Sequence, residues 1–131
     1  MADIKINKRV TAPTVLIVED EKPLAHALEL KLAHEGLLVK AVNNGRDALT
    51  LLANEDFSLV ICDLIMPHVD GFELLKQMRT KNVSIPVIVL TNLSQEEDRA
   101  RVMKLGATDF FIKSDTPIAT IVSHVKQRLK I

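Results

Sequence analysis

A chain of 131 residues, 47% of them hydrophobic, is long enough to bury one sizeable core and short for two domains. With 17 Lys and Arg against 17 Asp and Glu, no excess of positive charge argues for direct nucleic-acid contact or an anionic membrane surface. The single cysteine, Cys62, excludes an internal disulfide, and no apolar run nears the roughly 20 residues that span a bilayer. Residues 1–13, MADIKINKRVTAP, lack the apolar stretch of a signal peptide and read as a short N-terminal arm before a domain over 14–131. A reducing, cytoplasmic setting follows as the expectation.

In chain order, Thr14–Val18 (TVLIV) is the first β-branched run of strand length. A helix follows, with Leu24, Ala27, Leu28, Leu30 and Leu32 along its stripe, Asp20 as a potential cap and Pro23 in its first turn. Gly36 is placed to stop it, and 37–42 reads as a weaker strand. Arg46–Asn54 shows helical period in Ala48, Leu49, Leu51 and Leu52. The next strand is 58–62 (SLVIC), and after Gly71 a helix is carried by Phe72, Leu74, Leu75 and Met78. A fourth strand is predicted over 86–90, a charged helix from Ser94, a short strand over 110–112, and a last helix from Pro117 to Leu129. Five alternations of strand and helix, with four of the strands short apolar runs, predict an α/β fold. Its form is a doubly wound, five-stranded parallel sheet of flavodoxin-like order 2-1-3-4-5.

In such a sheet, chemistry collects beyond the carboxyl ends of the strands, beside the point where strand order reverses. Those ends carry Glu19, Asp20 and Glu21 after strand 1, Asp63 after strand 3, Thr91 and Asn92 at strand 4, and Lys113 and Ser114 after strand 5. Carboxylates gathered at one edge repel one another unless a cation sits among them. With only oxygen ligands on offer, magnesium, or manganese in its place, suits better than zinc. A phosphate ligand, as in a flavodoxin, would be repelled by three acids. A carboxylate beside a metal, a hydroxyl and a lysine makes a phosphoryl-transfer site, with Asp63 as nucleophile.

Five ordered features resemble the receiver domain of bacterial two-component response regulators: LIVEDE at 16–21, DLIMPHVDG at 63–71, PVIVLT at 86–91, GATDFFIK at 106–113, and the alternation that holds them. The resemblance implies that Asp63 accepts a phosphoryl group from a sensor histidine kinase or phosphotransfer protein. It makes Asp20, Asp63 and the backbone carbonyl of Ile65 direct magnesium ligands, with Glu19 reaching the metal through water. It also makes Thr91 the switch hydroxyl, Lys113 the lysine that pairs with the phosphoryl group, Phe110 the aromatic that swings inward, and Pro67 and Gly71 the shapers of the loop after the acceptor. Residues 94–129 would carry the output, to a further domain, a partner or a second copy after phosphorylation.

Three features depart from the family's usual pattern. Ser114 follows Lys113 where a proline in a cis peptide is usual, and Asn92 stands where a small residue normally follows the switch hydroxyl. Ile65 and Leu93, each two positions beyond a key residue, are apolar where side chains influence attacking water, which predicts slow loss of the phosphoryl group.

Blander readings stand beside these. Asp20 and Glu19 taken alone are a helix cap and a loop acid, Thr91 and Lys113 taken singly are ordinary strand-end residues, and one of Phe110 and Phe111 must be plain core because they alternate faces. The four histidines show no metal spacing, and QEEDRAR is a solvated face or a partner surface. An aspartyl-phosphate hydrolase would want an acid at position 65, where Ile65 stands, and a phosphorylation-independent interaction module would not need the intact acids, Thr91 and Lys113. The residues given end at Ile131, directly after the last helix, so a free-standing receiver and one cut from a longer chain are both expected.

Overall fold

The computed structural model describes residues 12–81 and 83–131. Most of the arm expected over 1–13, residues 1–11, lies outside the described residues. Strands β1 Thr14–Val18, β2 Leu38–Val42, β3 Leu59–Cys62, β4 Val87–Thr91 and β5 Asp109–Ile112 alternate with helices α1 Lys22–His34, α2 Gly45–Asn54, α3 Gly71–Thr80, α4 Glu96–Lys104 and α5 Ile118–Leu129. All strand pairs are parallel, in the order β2-β1-β3-β4-β5. This is the expected order, and it sets β1 and β3 side by side with Val18 opposite Cys62.

Side chains alternate across a strand, so the two faces of the sheet hold separate cores. Leu16, Val18, Val60, Cys62, Val87 and Val89 pack under Ala48 of α2, Leu75 and Met78 of α3 and Val102 of α4. Val15, Ile17, Leu59, Ile61, Ile88 and Leu90 pack under Leu28 and Leu32 of α1 and Ile121 and Val125 of α5. Burial on both faces explains the unbroken apolar runs in β1, β3 and β4.

Several boundaries differ from the sequence expectation. Thr91 closes β4 because it pairs with Ile112, while Pro86 falls outside the strand; α4 begins at Glu96, two residues after Ser94. Asp20 does not cap α1: the N-cap position belongs to Glu21, whose side chain makes no capping bond, and Asp20 is left exposed. Gly36 ends α1 as predicted. At φ 89° it lets its own N–H reach the Ala33 carbonyl and the Leu37 N–H reach that of Leu32. After β5 the chain makes a 3-10 turn over Lys113–Asp115, and no peptide bond is cis among the described residues.

Candidate functional site

The carboxyl ends of β1, β3, β4 and β5 bring the expected residues together. The ladder runs one residue past each strand: the Asp63 N–H donates to the Val18 carbonyl and the Glu19 N–H to that of Val42, both at 3.0 Å. Backbone pairing thus fixes both acids before their side chains act. Asp63 is 5% exposed and Glu19 4%, yet neither carboxylate lacks a donor. Asp63 Oδ1 accepts the Leu64 N–H at 2.6 Å, and Oδ2 accepts from Lys113 Nζ at 2.8 Å. Glu19 accepts the Glu21 N–H at 3.0 Å and Lys113 Nζ at 2.9 Å.

Lys113 organises this cluster. Its ammonium bonds to Asp63, to Glu19 and, at 2.6 Å, to Glu21, so its three donors meet three carboxylates. Burial works against its charge, but the hydrogen bonds it donates to Asp63, Glu21 and Glu19 outweigh that cost and hold its pKa well above the usual lysine range. For Glu19 burial wins. Loss of solvent, helped by the charge of Asp63, pushes its pKa up to about 7 against the Glu21 N–H and Lys113. The Cys62 thiol is raised by burial and by nearby carboxylates, in keeping with an inert core thiol.

Asp20, Glu21, Asp63, Ile65, Thr91, Asn92, Leu93 and Lys113 line a cleft of about 370 Å³ over this cluster. Thr91 is fully buried, and its Oγ accepts the Leu93 N–H at 3.3 Å. Ile65 is 59% exposed at the rim beside exposed Asn92 and half-buried Leu93. Glu19, Asp20 and Asp63 can bring one oxygen each within 4.8 Å of one another, an arrangement able to hold a cation.

Phe110 and Phe111 divide between the faces as alternation requires. Phe110 packs on the α2–α4 side under the Arg99 guanidinium, 5.6 Å from its ring centre. Phe111 packs on the α1–α5 side, edge-on to His124 at 4.7 Å. Ser114 and Pro67 are exposed. Gly71 is the first residue of α3, not a turn residue: a Cβ there would run into the Asp63 carbonyl oxygen and lie 2.7 Å from Leu64 Cα. The left-handed residue of the loop is His68, at φ 66°. Glu21 reads from the sequence as one of the three acids after strand 1, but its pairing with Lys113 is not foreseen there.

Residues 15–126 match the family model of the response regulator receiver domain. The chain belongs to that family. Response regulator SaeR of Staphylococcus aureus is 34% identical over 118 residues, which cover 88% of this chain and 51% of SaeR. The chain therefore spans about half the length of the curated relatives it matches. Among solved structures, the Francisella response regulator 1452 receiver domain is 30% identical at a TM-score of 0.85, covering 90% of this chain and 97% of that one. The receiver domain of a signal transduction histidine kinase from Syntrophus aciditrophicus is 36% identical at a TM-score of 0.82, with 91% of each chain covered. A CheY-like receiver protein from Methanospirillum hungatei, at 22% identity and a TM-score of 0.86 over 92% of this chain and 95% of that one, shares the fold. Receiver domains are signalling domains rather than turnover enzymes, and the acids at the strand ends of this receiver form the cluster that a cation would fit.

Proposed function

We propose that this receiver is a phosphorylation-driven switch that takes a phosphoryl group onto Asp63 from a phosphohistidine of a sensor histidine kinase or phosphotransfer protein. The observation that carries the reading is the convergence of a buried carboxylate, a nearly buried ammonium and two further acids on one cleft. Asp63 is presented with Oδ1 held by the backbone and Oδ2 by Lys113, which orients the carboxylate for in-line attack. One carboxylate oxygen bonds to phosphorus as the donor's P–N bond breaks, and the imidazole nitrogen keeps the electron pair. Lys113 then donates to a phosphoryl oxygen. Thr91, turning from the Leu93 N–H, donates its hydroxyl to another, and Phe110 follows into the space that Thr91 leaves.

The acid cluster fits magnesium or manganese, because its donors are all carboxylate oxygens and neither Cys nor His is among them. Asp20, Asp63 and the Ile65 carbonyl would hold the ion directly, and Glu19 through water. Once bound, the ion offsets the negative charge of the acids and of the phosphoryl oxygens. Pro67 shapes the loop above the acceptor, and Gly71, at the start of α3, closes that loop through its N–H bond to the Leu64 carbonyl. The output runs through residues 94–129 to a further domain, a partner or a second copy, in the cytoplasm, and the working domain is 14–131.

Magnesium with acetyl phosphate tests the reading by intact mass. One lasting, base-labile phosphoryl adduct supports the switch; continued turnover of the donor would indicate a hydrolase, and no adduct a passive interaction module. Neither Ile65 nor Leu93 offers a polar side chain to orient water, so the adduct should outlast that of a variant with Ile65→Asn and Leu93→Glu. An equal or shorter lifetime would contradict that role.

A further inference from the structure

Lys113 has three N–H donors, and Glu19, Glu21 and Asp63 use all of them. A phosphoryl donor docking on Asp63 brings new acceptor oxygens, so Lys113 must release a partner to bond to one. The three partners are not equal. The side chains of Glu19 and Asp63 are 3% and 6% exposed, whereas that of Glu21 is 56% exposed. While the donor docks and Asp63 is still a carboxylate, a group let go at Glu21 regains water, whereas one let go at Glu19 or Asp63 stays buried and uncompensated. Glu21 also lines the cleft above Asp63, where its charge meets any anion that approaches.

We infer that Glu21 is a positioning residue that occupies the releasable donor of Lys113 and repels anionic phosphoryl donors, and so sets the rate at which the site is loaded. The inference rests on Asp63 being the phosphoacceptor. It asks nothing structural of Glu21: the side chain makes no capping bond at the start of α1, so Glu21→Gln removes a charge without removing a cap.

The charge of the donor separates this role from a general disturbance. Acetyl phosphate is a dianion; its phosphorus bonds to an Asp63 oxygen as acetate leaves with the electron pair, and no proton is needed. Phosphoramidate, with its nitrogen protonated, carries one net negative charge and releases neutral ammonia. At saturating magnesium, E21Q should load from acetyl phosphate about threefold to tenfold faster than the native chain. That is the range for one lost charge at a partly exposed site. The gain should be smaller with phosphoramidate and should shrink as salt is added.

A second measurement needs no donor. The Lys113 ammonium protons, followed by nitrogen-15 NMR, should exchange with water faster in E21Q than in the native chain, with the backbone amide spectrum otherwise kept. Equal loading rates with an adduct formed, or equal gains from both donors, would overturn the inference. Unchanged ammonium exchange would overturn the claim that Glu21 holds Lys113. No adduct on either protein would overturn the phosphoacceptor reading itself, and the loading role with it.

Discussion

Asp63 is tolerated at 5% exposure because backbone and lysine divide its two oxygens between them. Glu19, equally buried, is less well compensated, and that gives it a measurable signature. Its pKa rises from 4.5 in the unfolded chain to about 7 in the fold, so the folded state binds the extra proton between those values. Stability from this group is therefore complete below the unfolded value and is lost as pH rises through about 7. Urea unfolding of the metal-free protein should show stability falling from about pH 5 to about pH 8, and Glu19→Gln should remove that part of the slope. Magnesium affinity should rise over the same window, because the cation must displace the proton. Gly71 makes a second case. Its helical neighbourhood is ordinary, and only the close approach of the Asp63 carbonyl and Leu64 demands glycine. Gly71→Ala should lower stability by about 1–3 kcal/mol in urea unfolding, the usual cost of overpacking. The resemblance makes Gly71 a shaper of the loop after the acceptor, but the close approach of Asp63 and Leu64, eight and seven residues back, is a matter of packing that the residue types alone do not mark.

Among the elements, the strands were the most legible, because burial on both faces requires apolar, β-branched runs wherever they occur. Their ends were less so. Thr91 belongs to β4 through its pairing with Ile112, a fact about the neighbouring strand rather than about PVIVLT itself. The start of α1 misled for a related reason: Asp20 is the preferred type of capping residue, yet the helix begins one residue later, and Asp20 keeps its side chain free in the cleft. Asp20→Ala should therefore leave the stability of the metal-free protein within about 0.5 kcal/mol while weakening magnesium binding, read by urea unfolding and by titration of the metal. A loss of about 1 kcal/mol without metal would mean that Asp20 acts as a cap after all. By contrast Asn44 is a working cap, its side chain accepting the Asp47 N–H at 2.8 Å.

For the whole molecule, a sheet with two separate cores is a rigid frame whose one chemically rich edge is the carboxyl edge. Four strands deliver Glu19, Asp63, Thr91 and Lys113 there, and the strand order makes neighbours of residues up to 94 positions apart. Most of the site could be read before the fold was seen, because each residue sits at the end of a recognisable strand. The tie between Glu21 and Lys113 could not, since it depends on how far two long side chains reach across the strand ends. The central claim is that Asp63 and no other residue takes the phosphoryl group. Borohydride reduces an acyl phosphate to an alcohol, so loading with acetyl phosphate and magnesium, reduction and peptide sequencing should find homoserine at position 63. Homoserine at position 20, or a phosphoryl group that survives reduction on a hydroxyl such as that of Thr91, would contradict it.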